Sequence, residues 1–157
     1  MIKDIIIVGG GSAGWMTATT LLLNLNNIKI KLIESKDTVC FEMFINWNEP
    51  IVLVEGVFDA IAIRNNTIPL LGKFLSKTLL KKLAEKQPKE VYVALDEDAK
   101  KDAIKLVKFL MDSGIKTYLL EMKDKDPSEL GFKSFWDIVK NTKQSKFSDI
   151  IKGRLNV

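Results

Sequence analysis

The sequence predicts an α/β fold with a mostly parallel sheet flanked by helices, opened by a smaller β-α-β unit. Three observations carry the expectation. Short β-branched runs alternate with helical segments along nearly the whole chain, the pattern of strand–helix–strand units. The runs at 5–8 and 51–54 are apolar throughout, as strands buried on both faces of a parallel sheet are. Three of the expected strands end at an acid (Glu34, Glu55 or Asp96), and functional groups in such sheets collect at the carboxyl ends of strands.

Taken in order, the run 5–8 reads as a strand stopping at Gly9-Gly10-Gly11. A helix follows over 12–24, with Ala13, Met16, Ala18 and three leucines, and Asn26-Asn27 closes it before a strand at 28–33. Residues 41–47 read as a strand and 46–50 as a turn. Ile51–Val54 is a buried strand, 57–64 a short helix ended by Asn65-Asn66, and 68–71 a short strand before Gly72. Ser76 is placed to cap a lysine-rich helix reaching Lys86. Residues 90–95, rich in Val and Tyr, make a strand ending at Asp96. An amphipathic helix over 99–113 stops at Gly114, and 116–122 is the last strand. Beyond Pro127 the pattern gives one or two helices and a basic tail. The expected organisation is thus 1–38, 39–131 and 132–157.

Composition narrows the chemistry. The 157 residues suffice for one domain with a small appendage, and 46% apolar with 28% charged residues is ordinary for a globular protein. The net charge of +4, mostly lysine, suits a nucleic-acid partner and equally many basic enzymes. With one cysteine and no histidine, an internal disulfide, the usual zinc ligand sets and His-based acid–base catalysis are all excluded. A metal ion here would be held by carboxylates and water, which points to Mg²⁺ or Mn²⁺. The first residues lack a signal-peptide pattern and no apolar run approaches a membrane span of about 18 residues, so no membrane partner is expected and the location expected is cytoplasmic.

Glu55-Gly56 ends one strand and Asp96-Glu97-Asp98 another. If those strands are neighbours in a parallel sheet, Glu55, Asp96 and Asp98 converge, and a divalent cation is the natural compensation for their repulsion. The plain alternative is a set of solvated acids at strand ends. The run 51–60, IVLVEGVFDA, resembles the glutamate motif of the TOPRIM fold, and 93–99, VALDEDA, resembles its D-x-D motif. Between them, 69–76, PLLGKFLS, resembles the linking segment of primases, and 125–130, KDPSEL, is similar to their D-P-x-E signature. The aromatic lead-in 41–47 looks like phage versions of the family. This resemblance implies a Rossmann-like TOPRIM domain of a phage or bacterial DNA primase, with Glu55 as general acid/base or metal carboxylate and Asp96 and Asp98 holding magnesium. Asp59 joins the metal set and, with Asp126, lies more peripherally. Lys73 stands where it meets phosphate or is a solvated loop lysine. Ala99-Lys100 replaces the Ala-Gly pair often found after the D-x-D, which puts the turn there in doubt but not the acids.

The opening carries a second pattern. Gly9-x-Gly11-x-x-Gly14 follows a strand and opens a helix, and Glu34 lies twenty residues beyond Gly14, as in a dinucleotide fingerprint. The run 8–18, VGGGSAGWMTA, resembles the amino terminus of flavin-dependent tryptophan halogenases, which implies an FAD pyrophosphate near Gly9, Gly11 and Gly14 and its ribose on Glu34. It covers only 1–38, and the later halogenase motif W-x-W-x-I-P has no counterpart. The alternative is a β-α-β unit without ligand.

The remaining candidates are lysines and aromatics. Lys77, Lys81 and Lys82, with Lys73, either line a nucleic-acid groove or form the wet face of a helix. Trp15, Trp47 and Trp136 are too scattered for a stacking platform and read as packing residues; Cys40 reads as an inert thiol. The leading expectation is a nucleotidyl-transfer and nucleic-acid-binding module for primer synthesis in phage DNA replication, incomplete alone. Its partners would be single-stranded DNA or RNA, nucleotides, and other primase subunits or a helicase. The alternatives are an FAD-binding oxidoreductase fragment and a non-catalytic fusion acting through a partner.

Overall fold

The computed structural model describes residues 3–9, 12–33, 39–122 and 125–148. The chain divides into two compact units, Met1–Thr38 and Val39–Val157.

In the first unit, β1 (Asp4–Val8) and β2 (Lys29–Ile33) pair in parallel, with Asp4 opposite Lys29 and Val8 opposite Ile33, and helix α1 (Ser12–Asn24) connects them. Gly9 has φ +109°, and a Cβ added at Gly14 would fall 1.8 Å from the Gly9 carbonyl oxygen. Only a glycine at 14 lets the first turn of α1 pass that close to the strand end. The unit is thinly packed, with Ala18 buried while Ile6, Val8, Met16 and Leu23 stay exposed. Gly11 and Glu34, expected in a cofactor site, lie outside the described residues.

The second unit is a four-stranded parallel sheet in the order β4-β3-β5-β6, made of β3 (Ile51–Val54), β4 (Thr67–Pro69), β5 (Glu90–Ala94) and β6 (Lys116–Leu119). Alternation along β3 sorts its side chains into two layers. Ile51 and Leu53 join a core with helices α3 (Lys77–Lys86) and α4 (Lys100–Asp112), through Leu79, Leu83, Ala103, Val107 and Leu110. Val52 and Val54 join a second core with α2 (Val57–Ile63) and α5 (Pro127–Asn141), through Ala60, Ile63, Phe135 and Val139. All four β3 residues are fully buried, which is why that strand reads as an unbroken apolar run. Ser76 caps α3 by accepting from the Leu79 N–H at 3.1 Å.

Two expectations need correcting. Residues 41–47 do not form a strand: Phe41 takes a left-handed φ of 63°, and Glu42–Phe44 makes a single 3-10 turn. The turn closes on its own backbone, with the Phe44 N–H on the Phe41 carbonyl at 2.8 Å, and a side chain distant in sequence holds the segment's end. Asn66 donates to the carbonyls of Asn46, Glu49 and Pro50 at 2.9, 3.3 and 2.9 Å and accepts from the Asn46 N–H at 2.7 Å, taking groups that a strand ladder would use. Helix α5 crosses position 131, where Gly131 (φ 69°, ψ 171°) kinks it, and its Phe135 and Val139 are core residues. Residues 132–141 are therefore part of the second unit rather than a tail. The chain after α5 then covers the β6 edge, with the Ser145 N–H on the Thr117 carbonyl at 2.9 Å and the Leu119 N–H on Ser145 Oγ at 3.0 Å.

Candidate metal centre

β3 and β5 are adjacent, with Val54 opposite Ala94, so both strands release their chains at one edge. Glu55 is the first residue beyond β3 and Asp96 the second beyond β5. From here the connections diverge, β3 leading outward to β4 and β5 outward to β6. That is a topological switch point, where an α/β sheet opens its ligand crevice. Asp98 arrives on a 3-10 turn, Glu97–Ala99, closed by the Ala99 N–H on the Asp96 carbonyl at 2.9 Å.

Glu55, Asp96 and Asp98 each offer a carboxylate oxygen, all within 4.8 Å of one another. Glu55 Oε2 and Asp96 Oδ1 are buried and find no hydrogen-bond partner among the described residues. Burial pushes the Glu55 carboxyl above the usual range, the Asp96 charge pushes it further, and Lys73 opposes them. Asp96 is raised chiefly by burial, then by Asp59, Asp126 and Asp98, again with Lys73 opposing. Orphaned, mutually repelling oxygens are costly unless a cation joins them. Three hard oxygen donors of this kind fit a magnesium or manganese ion, and the group can hold one.

Asp59 does not join this set. It is buried, and its two oxygens accept the Gly56 N–H at 3.0 Å and the Ser128 N–H at 3.1 Å. It is a strap from the turn after Glu55 to the start of α5. The same contact explains Gly56, since a Cβ there would sit 2.9 Å from Asp59 Oδ2. Asp126 caps α5, accepting from the Glu129 N–H at 2.8 Å and the Ser128 hydroxyl at 2.7 Å. Sequence shows Asp59 and Asp126 as acids near acids; their roles follow from the backbone amides they meet.

Of the lysines, Lys73 reaches the cluster, its Nζ 2.6 Å from Asp98 Oδ2. Lys77 and Lys81 are exposed on α3, where Lys81 lies 3.8 Å from Glu85, while Lys82 turns to a bond with Glu42. Trp47 and Trp136 pack against the two cores, and the Trp136 indole N–H donates to the Ile63 carbonyl at 3.0 Å. Cys40 is half-buried, and burial raises its thiol. Two aromatics passed over in the sequence reading stand out: Phe58 is 80% exposed three residues after Glu55, and Phe74, beside Lys73, is 71% exposed. Their signal was an aromatic at the start of a short helix just after Glu55-Gly56 and another in a loop. A cavity of about 180 Å³ adjoins the cluster, lined by Asp96, Glu97, Lys100, Leu119 and Met122. A wider groove between β6 and α5 carries none of the three acids.

The family model described as Toprim-like matches residues 52–130, just over half of the chain, and spans β3 through the start of α5. The chain belongs to the Toprim-like family. Its Toprim unit therefore holds the three acids at the sheet edge described above. The model of the tryptophan halogenase family matches residues 4–43. Among solved structures, the Aquifex aeolicus primase, in a crystal structure of its zinc-binding and RNA polymerase domains, is similar at 23% identity and a TM-score of 0.55. The match covers 66% of this chain and 28% of that one, so the chain spans under a third of that primase chain. The likeness establishes a primase-like Toprim fold. No curated protein matches the chain. No helix among the described residues is long and apolar enough to cross a membrane.

Proposed function

We propose that the Toprim unit binds Mg²⁺ or Mn²⁺ through Glu55, Asp96 and Asp98 and serves as the nucleotidyl-transfer and nucleic-acid-binding module of a phage or bacterial DNA primase. The observation that carries this reading is the pair of buried oxygens on Glu55 and Asp96 at the switch point, without a partner among the described residues. The ion would supply charge neutralisation for phosphate oxygens in the crevice. While no ion is bound, Glu55, with its raised carboxyl, is the residue suited to hold a proton there, and it gives that proton up when it joins the ion. Lys73 and Lys77 would meet phosphates, and exposed Phe58 and Phe74 offer faces on which unpaired bases stack. In primer synthesis its partners would be nucleotides, other primase subunits and a helicase.

Fluorescence anisotropy of a labelled single strand, with and without Mn²⁺, tests the reading. Mn²⁺ should tighten binding to the wild type and have no such effect on Asp96→Asn. Identical curves for the wild type in both conditions would refute it. A second reading concerns the first unit alone: the halogenase-family match and the Gly9–Gly14 approach support an FAD pyrophosphate at the start of α1. Flavin absorbance in the purified protein tests that reading, and colourless protein after reconstitution with FAD contradicts it.

A further inference from the structure

Among the described residues, the acid cluster already meets a cation that the chain supplies itself. Lys73 Nζ stands 2.6 Å from Asp98 Oδ2, the most exposed of the three acids, while the buried oxygens of Glu55 and Asp96 stay unpartnered. This is not a free surface lysine that happens to fall there. Its side chain is only 32% exposed, whereas that of Asp98 is 74% exposed. The loop carrying it is tied to the end of β3, with the Leu70 N–H on the Val54 carbonyl at 2.8 Å and the Gly72 N–H on the Glu55 carbonyl at 3.3 Å. Between those ties Leu71 takes a left-handed φ of 59°, a conformation a leucine holds only where its surroundings impose it. The fold thus brings an ammonium to a carboxylate that the proposed divalent ion also needs.

We infer that Lys73 is a displaceable counter-ion: its ammonium occupies Asp98 while no divalent ion does, opposes entry of a bare ion, and transfers to phosphate oxygens when a phosphate ligand arrives with the metal. The inference rests on the proposed cation site. Its physical content is a reversal of sign. Toward a bare cation Lys73 is a like charge and a competitor for Asp98; toward a polyphosphate it is an opposite charge and a donor. A residue that merely holds its loop in place would shift both affinities in one direction. The arrangement would admit the metal chiefly together with its phosphate ligand.

The test is calorimetric titration of the full chain and of Lys73→Gln, first with Mn²⁺ alone and then with inorganic triphosphate at saturating Mn²⁺. An ammonium and a divalent ion about 6 Å apart in water repel enough to change affinity about tenfold. Lys73→Gln should therefore bind Mn²⁺ about tenfold more tightly and triphosphate about tenfold more weakly, and Lys73→Arg should stay near the wild type in both. Shifts of the same sign, or no shift in Mn²⁺ affinity, would overturn the inference while leaving the cation site standing. Negligible heats with Mn²⁺ for the wild type, Lys73→Gln and Asp96→Asn alike would remove the site and the inference together.

Discussion

Asp96→Asn should make the cation-free protein more stable. Asp96 shares a space within 4.8 Å with oxygens of Glu55 and Asp98, and one of its own oxygens is buried without a partner among the described residues. Two unit charges at that separation repel by about 0.9 kcal/mol even at the dielectric constant of water, and by more where they are partly buried. Lys73 offsets part of this, so removing the Asp96 charge should gain about 1 kcal/mol, or roughly 4 °C in Tm for a domain of this size. Thermal unfolding followed by circular dichroism in EDTA measures it. Mg²⁺ should invert the order, because the wild type gains about 1.4 kcal/mol at ten times its Kd and the variant does not. The folded state holds protons on Glu55 and Asp96 more tightly than the unfolded chain. Their contribution to stability is thus full below the ordinary carboxylate range and is lost as pH rises through it to the raised values. The advantage of the variant should be absent at the acid end of that window and complete above it. A variant less stable than the wild type in EDTA at neutral pH, or a gap independent of pH, would refute the argument.

Further outcomes follow from the same contacts. Asp59→Ala should cost about 3 kcal/mol in urea denaturation, since it leaves the Gly56 and Ser128 amides without their charged acceptor; a cost under about 0.5 kcal/mol would show that the strap is dispensable. Replacing Lys77 and Lys81 by Gln should flatten the log–log salt dependence of single-strand binding by about 1.4 units, whereas Lys82→Gln, whose partner is Glu42, should leave the slope unchanged. A slope unmoved by the first pair makes that helix face a solvated one. Removing residues 1–38 should leave a cooperatively melting protein that still binds Mn²⁺, because every residue of both core clusters lies at 39 or beyond; loss of the melting transition would show that the first unit is integral to the second.

The legible parts of this protein are the local ones. The apolar run of β3, the Ser76 cap and the glycine after Glu55 each state their role within a few residues. The cluster of Glu55, Asp96 and Asp98 was legible too, because strand-end acids in an α/β pattern converge once β3 and β5 are neighbours. What escaped depends on partners far along the chain. The resemblance to primases put Asp59 at the periphery of the metal set, yet an amide 69 residues away takes one of its oxygens. Lys82 looked like part of a basic stripe until Glu42, 40 residues earlier, claimed it. The strand expected at 41–47 gave way to a 3-10 turn after a left-handed Phe41, with the end of the segment held by the side chain of Asn66, and no hydrophobic pattern records either. Phe135 and Val139 follow a helical spacing in the sequence, but only the packing of α5 against α2 makes them core.

A divalent ion held by the Toprim unit at the β3–β5 switch point would be visible by diffraction. Crystals grown or soaked in Mn²⁺ and measured at the manganese absorption edge test it most directly. The expected result is an anomalous peak coordinated by carboxylate oxygens of Glu55, Asp96 and Asp98, with the Lys73 ammonium drawn away from Asp98. A saturating soak that shows no peak there, with Lys73 still on Asp98, would contradict it.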